Sequence, residues 1–148
     1  MVVYEDRVLI SAPRDVVWRL LNDHLDDKKI STIHPLVQSQ NTVSRTGSEI
    51  VVDRVIDVRR KMMKSRWKIT YLPPERGRWE VVEGEGPWAV GSYVDVMYAD
   101  VPGGTQVSAR GNLTISVLPF FLSQKRTIAR VLNDVHIEDL SFLNRYRF

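Results

Sequence analysis

The residues best suited to chemistry are charged side chains at positions where the local pattern favours apolar ones. Arg54 has the inward parity of a predicted strand, between Val52 and Ile56. A buried guanidinium is costly to desolvate, so Arg54 requires an anion as its partner. Three arrangements are compatible with this position: an ion pair with a carboxylate across the interior, a strand bulge that turns Arg54 outward, or a ligand carboxylate or phenolate held by the planar guanidinium.

Asp139 is the second charged residue of this kind. It lies on the apolar stripe of a predicted C-terminal helix, between Val135 and Phe142. As an interior acid it would pair with Arg54 or with a backbone donor. In an apolar pocket without a cation its pKa would rise, and it could act as a general acid or base. Val135, Asp139 and Phe142 are therefore candidate ligand-binding residues, and Asp139 is also a candidate catalytic residue.

The histidines show no spacing typical of a metal site. His24, His34 and His136 form neither an H-x-x-x-H nor an H-E-x-x-H motif, so we expect no metal and no cofactor. His34 precedes Pro35 in a connection expected near a cavity entrance. It is a candidate proton shuttle, with a partly exposed structural residue as the alternative. The absence of cysteine excludes thiolate catalysis, and no serine lies in a G-x-S-x-G setting.

Large aromatic residues share the inward parity of the predicted strands. They are either core residues or the wall of a pocket, in which flat rings surround an aromatic or isoprenoid body and tyrosine hydroxyls offer hydrogen bonds. Three polar residues with the same parity, Ser65, Glu83 and Ser92, would add polar groups to this face. The aromatic candidates are Trp67, Tyr71, Trp79, Trp88 and Tyr98.

A basic run from Arg59 to Lys68 spans a predicted hairpin with Met62 and Met63 at its tip. One interpretation is a solvated edge that prevents association between sheets. The alternative is transient contact with an anionic membrane surface or an acidic protein. We expect no nucleic-acid binding, because the aromatic residues of this strand lie on the opposite face. The residues that would make the anionic contact are Arg59, Arg60 and Lys61.

Helices and a meander of strands must position these residues. Val2 to Ile10 favours a strand, and Ser11 to Pro13 is typical of a helix start, with apolar residues at helical spacing to about Asn22. Residues 26–35 indicate a short second helix or an irregular connection. From Leu36 to Val117 the period is two, and recurring Gly and Pro turns predict about six strands. After Pro119 an apolar stripe without Gly or Pro predicts one long helix.

Composition is typical of one folded domain spanning residues 1–148. Hydrophobic residues make up 43% and charged residues 26%, which excludes intrinsic disorder. The net charge of +3 results from 21 basic and 18 acidic residues, a nearly balanced surface. We expect no stable membrane insertion, since no apolar run approaches the roughly 18 residues that a spanning helix needs. The lack of cysteine suits a reducing compartment, so we expect a cytoplasmic protein.

The segment V-L-I-S-A-P-R-D-V-V-W-R-L-L-N-D, from Val8 to Asp23, resembles the start of the START-related helix-grip superfamily, also called SRPBCC or polyketide cyclase/dehydrase-like. The Pro73-Pro74 turn and the Gly103-Gly104 hairpin also fit. The resemblance implies an α+β fold, in which a curved antiparallel sheet of about seven strands wraps around a long C-terminal helix, with one or two short helices after the first strand. It further implies an internal cavity between sheet and helix.

Three hypotheses of function follow, because the superfamily includes lipid carriers, hormone receptors, cyclases and protein-binding modules. The leading one is binding or transport of a small hydrophobic ligand, such as a lipid, an isoprenoid or a polyketide-like molecule, with one polar end. The first alternative is a cyclase or dehydratase, in which Asp139 or His34 moves protons and Arg54 or a tyrosine stabilises an enolate. The second is a module that binds a protein partner.

Overall fold

A computed structural model describes residues 2–21, 25–33, 37–58, 60–72 and 75–114. The predicted meander is confirmed as six consecutive strands, β2 to β7. The predicted C-terminal helix lies outside the described residues. In chain order, the elements are β1 (Val2–Ile10), α1 (Arg14–Leu21), α2 (Ile30–Ile33), β2 (Val37–Thr46), β3 (Glu49–Val58), β4 (Lys61–Leu72), β5 (Arg76–Gly84), β6 (Tyr93–Val101) and β7 (Gly104–Leu113).

The strands form one seven-stranded sheet in the order β1-β7-β6-β5-β4-β3-β2. Every neighbouring pair is antiparallel. The first two strands of the chain are thus the two edges, and α1 and α2 carry the chain from one edge to the other. Bulges interrupt the pairing of β2 with β3 and of β4 with β5, and bulges bend a sheet and increase its twist. The predicted α+β class, strand number and antiparallel order are confirmed.

Helix α1 begins directly after β1, as the sequence predicted. The Pro13 carbonyl accepts hydrogen bonds from the N–H groups of Val16 and Val17 at 3.1 Å, which starts the helix at Arg14. The Thr105 hydroxyl, on β7, donates to the Ala12 carbonyl at 2.7 Å and ties this turn to the sheet. Val17 is fully buried. These contacts build a small core from Ile10, Ala12, Val17 and Tyr98.

One face of the sheet, which we call the inner face, carries a second core. Alternate residues of β3, β4 and β5 are buried there, as expected for strands with one covered side. Leu25, from the connection between α1 and α2, packs onto it. The predicted inward parity of β3 and β4 is therefore correct. The buried members of this core are Leu25, Ile50, Val52, Trp67, Ile69 and Val81.

The hairpin between β3 and β4 turns three residues earlier than its predicted tip. Val58 pairs with Lys61, and Arg60 adopts a left-handed conformation with φ of 67°. Met62 and Met63 are therefore paired strand residues, and the prediction that they form the tip is wrong. Met63 is buried on the inner face, whereas Met62 is 55% exposed.

Candidate functional site

Arg54 lies on the inner face with only 9% of the residue exposed. Its cross-strand neighbours are Gln40 on β2 and Ser65 on β4, both buried. Its Nε–H group donates to Gln40 Oε1 at 2.6 Å. Its Cζ lies 4.9 Å from the centroid of the Trp79 ring, a distance at which an aromatic face attracts a cation. The predicted burial of Arg54 is confirmed, and the alternative in which a bulge turns it outward is wrong.

Asp27 connects to Arg54 through Gln40. Its Oδ1 atom accepts a hydrogen bond from Gln40 Nε2 at 3.0 Å. It also accepts the Thr42 hydroxyl at 3.0 Å, and Oδ2 accepts the Thr42 backbone N–H at 2.7 Å. Partial burial acts to raise the pKa of Asp27, but these hydrogen bonds and the charge of Arg45 outweigh burial and lower that pKa. A chain of polar contacts thus runs from an ionised carboxylate to the inner-face guanidinium.

Neither Asp27 nor Gln40 was predicted from the sequence. Gln40 pairs with Arg54 on the inner face because a bulge in β2 inserts one extra residue between Val37 and Ser39. Without that residue, strict alternation from Val37 would place Gln40 on the outer face. In the sequence, Gln40 and Arg54 lie on the two sides of the β2–β3 hairpin, which could have indicated that they are cross-strand neighbours. The register shifts of β2 prevent that pairing from being counted from the turn.

Trp67 anchors the aromatic part of the inner face. It is 7% exposed, and its Nε1–H donates to the Ser65 hydroxyl at 2.9 Å. Tyr71, Trp79 and Trp88 pack against the same core and are partly buried. Trp88 lies in the connection between β5 and β6 and not within either strand. Four of the five predicted aromatic residues are therefore neighbours in space, and the fifth, Tyr98, belongs to the small core beside α1.

A second aromatic group connects α1 to the sheet. The Trp18 ring centroid lies 5.2 Å from that of Tyr71 and 5.2 Å from that of Tyr98, at angles of 52° and 86°. Tyr71 therefore contacts Trp18 and also packs on the Trp67 core. Trp18 was not proposed as a site residue. The sequence signal that could have indicated it is a large aromatic residue at the flank of the apolar stripe of α1.

Two polar residues expected to add polarity to the inner face have other roles. Glu83 pairs with Arg66 across a β4–β5 bulge, so it lies on the outer face with its side chain 73% exposed. The extra residue reverses the parity that strict alternation predicts. Ser92 is buried, but its hydroxyl bonds to the backbone of Thr114, accepting from N–H at 3.1 Å and donating to the carbonyl at 3.3 Å.

Part of the basic run is paired on the outer face. Arg66 forms a two-pronged contact with Asp53, at 2.8 Å from Nε and 3.0 Å from an η nitrogen. Lys64 lies 3.7 Å from the same carboxylate. The pKa of Asp53 is lowered, chiefly by its hydrogen bonds with Arg66. Burial acts to raise this pKa, and the charges of Arg66 and Lys64 lower it further. Because β3 and β4 are interior strands, the interpretation of this run as a solvated sheet edge is wrong; these contacts indicate an ion-paired outer face instead. Contact of Arg60 and Lys61 with an anionic partner stays a prediction.

Several predicted site residues lie outside the described residues: His34, Val135, Asp139, Phe142 and, in the basic run, Arg59. Pairing of Asp139 with Arg54 therefore stays a prediction. The structure brings five of the eight predicted ligand-binding residues onto or beside the inner face; their role as ligand contacts is likewise a prediction. These five are Arg54, Trp67, Tyr71, Trp79 and Tyr98.

Within the described ranges, no cluster of three or more His, Asp or Glu side chains could hold a metal ion. In the same part of the chain, no helix has the length and apolar character needed to cross a membrane.

Solved structures of three named proteins share this fold. The di-domain aromatase/cyclase StfQ of the steffimycin biosynthetic pathway superposes with a TM-score of 0.78 at 17% identity, covering 96% of this chain and 49% of StfQ. The Zhui aromatase/cyclase from Streptomyces sp. R1128 gives 0.75 at 16% identity, covering 96% and 90%. Ara h 8.0201 gives 0.74 at 11% identity, covering 98% and 99%. This chain therefore spans about half the length of StfQ and nearly all of the other two.

No protein-family model and no curated protein sequence matches the chain. At identities below one fifth, the structural matches show the fold and not the activity. The three solved structures cover nearly the whole chain. The antiparallel strand order and the short helices after β1 also agree with the fold that the Val8–Asp23 resemblance implied. The protein shares the fold of these solved structures, which is the helix-grip fold that the sequence resemblance implied.

Proposed function

We propose that the inner face binds a small, largely apolar ligand with one anionic or polar end, and that the protein is a carrier or sensor of that ligand. The observation that carries this proposal is the placement of Arg54. It is a buried cation beside the Trp79 ring, on a face whose buried side chains, apart from its neighbours Gln40 and Ser65, are mainly aliphatic and aromatic. Such a face combines a large apolar contact area with one point of polar recognition, which is typical of small-molecule sites.

The chemistry of Arg54 suits a ligand with a planar anionic group. A guanidinium offers donors in a fixed fork that matches carboxylate geometry, and such charge-assisted bonds are stronger than neutral ones. Trp67 and Trp79 present flat rings to the body of the ligand. The cavity implied by the helix-grip resemblance would place Val135, Asp139 and Phe142 of the C-terminal segment across from the sheet. In that arrangement Asp139 would compete with a ligand anion for Arg54.

Two fluorescent probes with the same body test the proposal. Anilinonaphthalene sulfonate is anionic, and N-phenylnaphthylamine has the same fused rings and phenylamine without the sulfonate. We expect both to bind, and Arg54→Met to weaken sulfonate binding by about 10- to 100-fold, since a hydrogen bond to a charged group contributes about 1.5 to 3 kcal/mol. Binding of the uncharged probe should change by less than about threefold. Arg54→Lys should give an intermediate loss, because an ammonium lacks the planar fork.

Arg110→Met is the matched control, since Arg110 is exposed on the opposite face of β7. It should leave both affinities unchanged. Equal losses for both probes in Arg54→Met would show that Arg54 supports the fold and does not recognise the anion. Native mass spectrometry of the protein from its own source then tests whether a molecule with an acidic group co-purifies.

A second candidate function is a cyclase or dehydratase that acts on a polyketide-like substrate. It is favoured by the fold shared with StfQ and Zhui, both described as aromatase/cyclases. In that case Arg54 would stabilise an enolate, and Asp139 or His34 would move protons. Incubation with a linear poly-β-ketone thioester separates the two functions. Recovery of the substrate at unchanged mass favours the carrier, whereas loss of water that depends on Asp139 or His34 favours the enzyme.

A further inference from the structure

We infer that Asp27 is a positioning residue that acts through Gln40 to fix the direction of the Arg54 guanidinium on the inner face. The inference concerns the geometry of Arg54 itself. Only its consequence for ligand affinity rests on the proposed function.

The orientation of the Gln40 amide is determined by what its two neighbours can do. A carboxylate only accepts hydrogen bonds, so the Gln40 group that faces Asp27 at 3.0 Å must be Nε2. A guanidinium only donates, so the group that faces Arg54 Nε at 2.6 Å must be Oε1. Both neighbours require the same orientation. The amide therefore transmits the position of the Asp27 carboxylate to Arg54.

Asp27 is itself held in place from two sides. The preceding residue, Asp26, accepts the N–H groups of Lys28 and Lys29 at 2.9 and 3.2 Å, which closes the turn that leads into α2. Asp27 faces the sheet edge, where Thr42 supplies both a backbone N–H and a hydroxyl donor. Because β2 is an edge strand, no neighbouring strand offers this N–H an acceptor, and Asp27 supplies one. The carboxylate thus has three hydrogen bonds that fix it, one from Gln40 and two from Thr42.

The consequence for Arg54 is a guanidinium whose plane is set before a ligand arrives. One bond holds Nε, and the Trp79 ring lies 4.9 Å from Cζ. Since the guanidinium is planar, a fixed Nε and an adjacent ring together restrict the direction of its terminal nitrogens. A preorganised donor loses less side-chain entropy on binding and so binds its anion more tightly.

Exchange of donors and acceptors gives a direct test. In Asp27→Asn, the Thr42 backbone N–H still requires an acceptor, so the new side-chain oxygen takes the place of Oδ2 and the new NH2 group takes the place of Oδ1, which faces Gln40. Gln40 then turns its Oε1 to that NH2 group and its own Nε2 to the Arg54 N–H. In the double variant Asp27→Asn/Gln40→Glu, the new amide at position 27 donates to the new carboxylate at position 40, and that carboxylate accepts from Arg54. Net charge and the chain of hydrogen bonds to Arg54 are thereby restored. Asp26→Asn is the control, because asparagine serves equally well in that turn.

The first measurement needs no ligand. The Arg54 Nε–H resonance, assigned by its loss in Arg54→Lys, should be protected from exchange with water in the native protein. We expect at least about tenfold faster exchange in Asp27→Asn, because the Nε–H then lacks its acceptor. Exchange should slow again in the double variant and stay unchanged in Asp26→Asn. Unchanged exchange in Asp27→Asn, or failure of the double variant to recover, would overturn the inference.

The second measurement uses the two probes. Asp27→Asn should weaken binding of anilinonaphthalene sulfonate by about five- to tenfold and leave N-phenylnaphthylamine unchanged. The double variant serves only for the exchange measurement, because the carboxylate that it places at position 40 would itself compete with the sulfonate for Arg54. Equal weakening of both probes would mean that Asp27 only supports the fold. If sulfonate binding does not depend on Arg54, while exchange of its N–H follows the donor and acceptor pattern, the proposed function fails and the positioning role of Asp27 stands.

Discussion

The hydrogen bond between Trp67 and Ser65 gives a sharp test of how the inner face is stabilised. Trp67 Nε1 donates to Ser65 Oγ at 2.9 Å, and Ser65 is only 1% exposed. In Ser65→Ala the indole N–H loses this acceptor at a site largely closed to water. Leaving a buried donor unsatisfied costs about 1 to 3 kcal/mol. We expect the free energy of unfolding to fall by that amount, and Tm to fall by roughly 2 to 4 °C for each kcal/mol.

A double-mutant cycle isolates this hydrogen bond from other effects of the substitution. Trp67→Phe removes the indole N–H and keeps an aromatic ring. In that background Ser65→Ala should change the free energy of unfolding by less than about 0.5 kcal/mol, which would give a coupling of about 0.5 to 3 kcal/mol. Urea unfolding followed by far-UV circular dichroism, with an unchanged m-value, provides the measurement. Ser44→Ala, at an exposed position of β2, is the control for serine removal.

Equal losses for Ser65→Ala in the two backgrounds would refute the reasoning. They would show that the serine contributes through its packing or its own backbone and not as the indole acceptor.

Three further predictions concern the sheet. Thr105→Val keeps the side-chain shape but deprives the Ala12 carbonyl of its 2.7 Å donor, so thermal unfolding should show a loss of about 1 to 3 kcal/mol. Arg66 lowers the pKa of Asp53, so this pair stabilises the fold at pH values above the unfolded carboxyl pKa of about 3.9. The stabilisation is lost as the pH falls through the folded pKa. In Arg66→Met, Tm should therefore depend less on pH between about pH 5 and pH 2. In Gly84→Ala the added Cβ would lie 2.6 Å from backbone atoms of Lys64 and Ser65, and residue 84 would have to keep a φ of 141° that side chains rarely adopt. Urea unfolding should therefore show a loss of stability above about 1 kcal/mol.

Strands with regular alternation were predicted well, and those with bulges were not. In β3, every second residue from Ile50 to Val58 is apolar except Arg54, so Arg54 could be recognised as the exception on that face. Alternation has a period of two, so every residue keeps its face until one is inserted. The bulge between Arg66 and Trp67 moved Glu83 to the outer face, because an insertion depends on the pairing partner and leaves no periodic mark in the sequence.

The polar contacts of Arg54 could not be predicted for a related reason. Asp27 lies in a mixed polar segment between two short helices, where sequence periodicity says nothing about which strand it meets. Gln40, which lies one hairpin away from Arg54 in the sheet, is a neutral residue, and arguments from charge alone overlook it. A neutral amide between a carboxylate and a guanidinium supplies one donor and one acceptor, so it can connect two charges that do not touch.

The irregular edge strand therefore has two effects with one physical origin. The first bulge of β2 brings Gln40 to the inner face opposite Arg54, and the second follows Thr42, whose N–H bonds to Asp27. A regular β2 would present a continuous row of unpaired backbone groups at the sheet edge, which favours association with other strands. It would also place Gln40 on the outer face, away from Arg54. Irregularity at this edge thus both limits unwanted pairing and brings the Asp27 carboxylate within one amide of the buried cation.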